Sequence, residues 1–156
     1  MAKINKKELL RIEKMVQDWP FFQDFSKEEI EDAIHKMSLR RVEKNEIIFR
    51  EEDPGDYLFL LLDGKIEISL TNHAKAKIIA IIEAGGIVGE MSVLDDETRS
   101  ATAKAYEDSE ILILTRDKLD SILREEPPIG IKFLKQVSRI VANRLRSMVG
   151  NFAEIS

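Results

Sequence analysis

Apolar positions in the first third of the chain recur at helical spacing. Leu9, Ile12 and Val16 share one face of a segment from about Lys6 to Gln17, which Pro20 ends. Ser26, three residues before Glu29, fits a capping box, and the helix it opens turns Ile30, Ala33, Ile34 and Met37 inward. From about Val42 the pattern changes to short apolar runs divided by turn residues, the mark of many short strands in a barrel or sandwich. Ile47 to Phe49 is one run, closed by the turn Asp53-Pro54-Gly55-Asp56, and Tyr57 to Leu62 is the next. Asp63-Gly64 then predicts a tight hairpin into a strand where Ile66, Ile68 and Leu70 alternate with polar residues. A polar tip at Thr71 to Ala76 leads to Lys77–Ile82, Gly85-Gly86 turns the chain, and Thr102–Tyr106 and Glu110–Leu114 complete seven or eight strands.

Helix returns behind Thr115, a cap for a short segment holding Leu119, Ile122 and Leu123. Pro127-Pro128 separates it from a longer amphipathic helix expected over Ile129–Val149, with Leu134, Val137, Val141 and Met148 along one side. The order predicts a mainly β domain over residues 21–149 with flanking helices, an N-terminal helical segment over 1–20, and a tail or lid over 150–156.

Composition narrows the chemistry. The 156 residues are 44% hydrophobic and 34% charged, so one soluble domain with a real core is expected. No apolar run approaches the roughly 18 residues of a membrane span, and the dispersed charges of the first sixteen residues do not form a secretory signal. A cytoplasmic protein without membrane association is therefore expected. There are no cysteines, so thiol nucleophiles, disulfides and cysteine-held metals are excluded. A net charge of −5 offers no global field for nucleic acid, though a local anion site is compatible with it.

One stretch departs from the barrel pattern: Ala84-Gly85-Gly86-Ile87-Val88-Gly89-Glu90-Met91-Ser92, followed through Asp95-Asp96-Glu97 to Arg99-Ser100-Ala101-Thr102. Three glycines allow close backbone approach, a one-turn helix can start near Ser92, and its N–H groups can converge on an anion. The planar fork of Arg99 can grip two phosphate oxygens, with Ser100 adding a hydroxyl. Glu90 would repel a phosphate but can accept bonds from ribose hydroxyls, as carboxylates do in dinucleotide sites. On spacing alone, Glu90 and Arg99 read equally well as a surface ion pair.

Taken with Phe21-Phe22-Gln23-Asp24-Phe25-Ser26, Asp53-Pro54-Gly55-Asp56-Tyr57-Leu58 and Gly64, the segment Gly89-Glu90-Met91-Ser92 through Arg99-Ser100-Ala101-Thr102 resembles the cyclic nucleotide-binding domain family over about Phe21 to Arg146. That family includes the bacterial catabolite activators, the regulatory subunits of cyclic AMP-dependent protein kinase and cyclic nucleotide-gated channels. The resemblance implies an eight-stranded jelly-roll β-barrel with flanking N-terminal helices and a C-terminal helix pair. It places the cyclic phosphate on Arg99, Ser100 and the backbone of a cassette that includes Val88, Gly89, Met91, Ser92 and Ala101, and the ribose 2′-hydroxyl on Glu90. Arg144 matches a helix position that reaches toward the pocket in the bacterial activators, and Phe152 is a candidate for stacking on the purine. Asn45 and Glu52 stand where the family often has glycine, Ile87 where phenylalanine is frequent, and Met148 and Val149 replace a polar pair that reads adenine. Ser100 followed by Ala101 favours cyclic AMP, with cyclic GMP the other ligand of this class.

The remaining residues take plain roles. His35 and His73 are expected in solvent, Trp19 with Phe21, Phe22 and Phe25 to pack a helix junction, and Asp95-Asp96-Glu97 to form a solvated tip. The chain reads as a free-standing cyclic nucleotide sensor, not an enzyme, that passes occupancy through its C-terminal helix to a protein partner or a second copy. Two rivals are a degenerate module that serves interaction or dimerisation, and a cupin-like metalloenzyme. The latter needs two or three histidines converging with a carboxylate, which His35 and His73 cannot supply.

Overall fold

A computed structural model describes the backbone of residues 2–72 and 75–155 and the side chains of 3–71 and 75–151. The expectation for His73 and the side chain of Phe152 lie outside the described residues. The N-terminal helices begin at their caps: α1 (Lys6–Val16) where the Asn5 side chain accepts from the Glu8 N–H, and α2 (Lys27–His35) at the expected Ser26–Glu29 capping box. Between them Pro20–Phe22 makes a single 3-10 turn; Phe22 meets Phe21 and Phe25 edge-on and Phe21 meets Phe133 edge-on, with Trp19 packed beside them, as expected of a helix junction. His35 is exposed at the end of α2.

Nine strands occur among the described residues. β1 (Ala2–Lys3) is a short addition at an edge, and the other eight are β2 (Ser38–Val42), β3 (Ile47–Phe49), β4 (Tyr57–Asp63), β5 (Lys65–Asn72), β6 (Lys75–Glu83), β7 (Ile87–Val88), β8 (Thr102–Ala105) and β9 (Ser109–Thr115). They form two antiparallel sheets, ordered β1-β2-β9-β4-β7 and β3-β8-β5-β6, which is the jelly roll expected. Phe59, Leu61, Ile111 and Ile113 from the first sheet pack on Phe49, Ile66, Ala103 and Ala105 from the second. The other face of the first sheet, through Leu58, Leu60, Leu62, Leu112 and Leu114, is covered by the helices. β4 is thus buried on both faces, which is why its sequence is an unbroken apolar run instead of an alternation.

The hairpin expected at Asp63-Gly64 does not form. β4 pairs with β7 and β9, β5 pairs with β6 and β8, and the dipeptide is a corner where the chain changes sheets. Gly64 alone takes a left-handed conformation (φ 100°), while Asp63 remains in β4 opposite Glu110. A type I′ turn needs positive φ at both positions, and a strand buried on both faces must lie inside its sheet, so β5 cannot fold back onto it. The hairpin is instead β5–β6, with Ile66 opposite Ile82 and a bulge beyond Ile68.

At the C-terminus, Thr115 caps α4 (Arg116–Glu125) through the Lys118 N–H. α5 spans Pro127–Ile155, longer at both ends than the Ile129–Val149 expected. Proline in the first turn sacrifices no helical hydrogen bond, so Pro127-Pro128 starts α5 rather than preceding it. Gly130 brings α5 against α4, where a Cβ would stand 2.6 Å from Leu123 Cδ2.

Candidate functional site

The unusual segment folds as a cassette between β7 and β8. Its helix α3 (Glu90–Asp95) starts two residues earlier than Ser92, behind Gly89 in the left-handed conformation (φ 84°). A Cβ at Gly89 would lie 2.6 Å from Arg99 Nη1 and 3.2 Å from the Tyr57 carbonyl, so both conformation and space require glycine. Gly85 and Gly86 take another role. They tie the β6–β7 turn to β4, with Gly85 N–H donating to Leu61 O and Leu61 N–H to Gly86 O, and so line no approach to the cassette.

Arg99 lies at the centre. It is 2% exposed, and its side chain runs inward to the corner between the sheets. Nη1 donates to Gly89 O (3.1 Å) and Nη2 to Tyr57 O (2.7 Å), while Nε has no partner. The guanidinium lies 4.0 Å from the Phe49 ring centroid and 4.6 Å from that of Tyr57. Burial holds it below the ordinary arginine value, opposed by the fields of Tyr57 and Asp56, and it remains a cation at neutral pH. No described carboxylate forms an ion pair with it. The expectation of a surface ion pair between Glu90 and Arg99 therefore fails on both burial and pairing.

Glu90 is 4% exposed and is paired instead with Arg144 of α5, whose Nη1 donates to Oε1 and whose Nη2 donates to Ile87 O at 2.7 Å. Arg144 thus does reach the cassette. Ser100 is exposed, its hydroxyl nearest the Met91 sulfur at 3.8 Å, and Ala101 is half-buried behind it. Ser92 is turned into the fold, where its hydroxyl donates to Thr98 O (3.1 Å), so only its backbone is available to a ligand. Val88 is buried in the core between the sheets, opposite Phe59, and supports the cassette from below. Asp95, Asp96 and Glu97 form the exposed tip expected, although Asp96 also meets Arg116 at 2.9 Å.

Four neighbours were given no role in the site from the sequence, although Gly55 and Tyr57 lie in the Asp53–Leu58 motif that carries part of the resemblance. Phe49 and Tyr57 looked like ordinary strand ends. Gly55 was read as a turn residue of that motif with no contact assigned, yet a Cβ there would sit 2.2 Å from Ser92 Cβ. Arg116, the first residue of α4, donates to Gly55 O (2.6 Å) and Ser92 O (2.8 Å) and so ties the turn to the cassette. A cation at the positive end of a helix dipole was the readable sign that Arg116 serves something other than its own helix. Asn45 and Glu52, standing where glycine is frequent in the family, both adopt positive φ (72° and 74°).

A family model for the cyclic nucleotide-binding domain matches residues 39–126, more than half of the chain. This chain belongs to that family. It is similar to the cyclic AMP receptor protein of Thermus thermophilus, 31% identical over 128 residues, which cover 81% of this chain and 57% of the receptor. The chain thus spans just over half of that relative's length. Among solved structures, a cyclic nucleotide-binding domain from Methylobacillus flagellatus superposes with a TM-score of 0.84 at 30% identity, covering 96% of this chain and 85% of that one. The Thermus thermophilus catabolite activator protein gives a TM-score of 0.77 at 29% identity, covering 87% and 62%. Among the described residues, no helix is long and apolar enough to cross a membrane, and no cluster of three metal-ligating side chains occurs.

Proposed function

We propose that the chain is a regulatory sensor whose ligand is cyclic AMP. The observation that carries this reading is Arg99, a guanidinium almost completely buried, with an unpartnered Nε–H and no ion pair to a carboxylate among the described residues. An uncompensated buried charge is costly, and an anion at its open edge would complete it. The cyclic phosphate takes that place, aided by the Ser100 hydroxyl and the cassette backbone around Gly89, Met91 and Ala101. Its ribose 2′-hydroxyl donates to Glu90. Arg144 uses Oε1 of that carboxylate, leaving Oε2 for the hydroxyl.

Glu90 is therefore also the route to the output, because the group that reads the ribose is the one that holds α5. A ligand shifts α5 only so far as it changes the Glu90–Arg144 contact or adds contacts of its own. Beyond the cassette, Leu145, Met148 and Val149 leave an apolar face of α5 exposed, on which a partner chain or a second copy would read the shift. A second reading draws on the same geometry. Since Gly89 O, Tyr57 O and Arg144 already engage the site, a self-satisfied interaction module is the alternative.

Calorimetric titration separates the two. Cyclic AMP should bind the parent more tightly than cyclic GMP, and Arg99→Ala should weaken it roughly 30-fold to several-thousand-fold, the loss expected from one partner of a buried charge pair. No heat with either nucleotide would support the interaction module. Equal affinity in parent and Arg99→Ala would remove the anchor from Arg99.

A further inference from the structure

We infer that Phe49 and Tyr57 are positioning residues that seat the Arg99 guanidinium for its anion, an inference that rests on Arg99 being the phosphate anchor. The two rings come from different sheets, Phe49 at the end of β3 and Tyr57 at the start of β4. They meet edge to face, with centroids 6.3 Å apart and planes at 75°, and the guanidinium occupies the corner at 4.0 and 4.6 Å from them. Phe59 braces Phe49 from within the core, its centroid 6.4 Å away. Two of the groups that set the anchor's place thus belong to the frame of the jelly roll and not to the cassette loop that carries Arg99 in the sequence.

The choice of aromatic faces has a chemical reason. A carboxylate in this corner would neutralise the buried cation, and an incoming phosphate would have to displace it. The negative face of a ring compensates part of the charge without supplying a counterion. Gly89 O and Tyr57 O then fix the rotation of the fork in its plane, each accepting one of its N–H groups. What remains is a cation held in position, partly compensated, with Nε–H unspent. That is an anion-binding group organised before its ligand arrives, so little ordering cost falls on the binding step.

The test uses the full chain, labelled with nitrogen-15, and cyclic AMP as the probe. The Arg99 Nε–Hε resonance, assigned by its loss in Arg99→Lys, should lie upfield of the other arginines because of the two ring currents. Tyr57→Leu should move it back toward them and weaken cyclic AMP roughly three- to thirty-fold, the span of cation–π strengths from exposed to desolvated sites. Tyr57→Phe should restore both, since it keeps the ring and loses only a 3.5 Å contact from the hydroxyl to Ile48 O. Phe49→Leu provides the same comparison if Tyr57→Leu does not fold. An Arg99 resonance that is not displaced in the parent overturns the seat, as does Tyr57→Leu binding with parental affinity in a parent that binds. A parent that takes up no cyclic AMP sinks the ligand reading instead, and the Arg99 resonance then upholds or overturns the seat by itself.

Discussion

Gly55 and Ser92 offer a severe check on the cassette geometry, because they belong to segments that nothing in the sequence joins. In Gly55→Ala the new methyl would stand 2.2 Å from Ser92 Cβ, 2.6 Å from its Oγ and 3.1 Å from Arg99 Cδ. Comfortable carbon contact begins near 3.5 Å, so the turn and α3 must separate by more than about 1 Å. Neither can yield easily, since Arg116 bonds Gly55 O and Ser92 O with the same nitrogen. Overpacking of this kind costs about 1–3 kcal/mol, and the upper half of that range applies where backbone must move. Replacing glycine also stiffens the unfolded chain, which returns about 0.4–1 kcal/mol. A net loss of about 2 kcal/mol is expected in urea denaturation, together with weaker cyclic AMP binding as Arg99 shifts with its neighbours. Ser92→Gly removes both of the nearest atoms, at its own cost of about 0.5 kcal/mol for the helix and about 1 kcal/mol for the bond to Thr98 O. The double variant should therefore be more stable than the two single losses summed, by 1 kcal/mol or more, on the order of couplings between residues in contact. Simple additivity, or a Gly55→Ala variant as stable as the parent, would refute the packing described for this junction.

Glu90→Gln keeps an acceptor but loses the charge that meets Arg144, so it should cost about 1–3 kcal/mol in cyclic AMP affinity and shrink the preference for the ribose over the 2′-deoxy ligand; unchanged discrimination would take Glu90 away from the ribose. Glu52 sits at φ 74°, a conformation that costs a non-glycine residue about 1–2 kcal/mol. Glycine there gives back part of this as unfolded-state entropy, so Glu52→Gly should raise the stability read from urea denaturation by about 0.5–1 kcal/mol, and a lowered stability would contradict the strain. The Lys132 ammonium, with the Ser26 N–H, holds the Glu29 carboxyl below the usual carboxylate range. Its stabilisation is present above the unfolded value of about 4.3 and lost as pH falls through the lower folded value, so Lys132→Met should flatten the decline in stability below about pH 4. Saturating cyclic AMP should change amide exchange in α5 more than in β5, and Arg144→Met should abolish that difference; exchange in α5 that ignores the ligand in the parent would leave the domain binding without output through this helix.

What could be read from the sequence, and what could not, divides along the range of the interactions. Ser26–Glu29, Asn5 and Thr115 act within three residues, and the helices they cap begin where local chemistry puts them. The alternation of Ile66, Ile68 and Leu70 is likewise a property of one strand, and such runs marked six of the eight jelly-roll strands, leaving out β2 and the two-residue β7. Strand pairing is not local. Asp63-Gly64 has hairpin chemistry, but the unbroken burial of β4 demanded a place between β9 and β7, and the burial of a whole strand outweighs the preference of one dipeptide. The site follows the same division. Gly89, Glu90, Arg99 and Ser100 are marked in the sequence by the resemblance of their segment to a family motif, since their spacing alone leaves a surface ion pair equally open. Phe49, Tyr57, Gly55 and Arg116 are common residues in common settings, and they acquire their roles only when two sheets, a turn and a helix end converge on one guanidinium. Glu90 carries the sharpest case. In sequence its charge suggested a hydroxyl acceptor or a surface ion pair, and only the family resemblance turned Arg144, 54 positions away, toward the same pocket without pairing the two. A buried carboxylate needs a partner in the folded chain whether or not a ligand is present. Arg144 fills that need from α5, so the requirement to satisfy one buried charge is what ties α5 to the cassette.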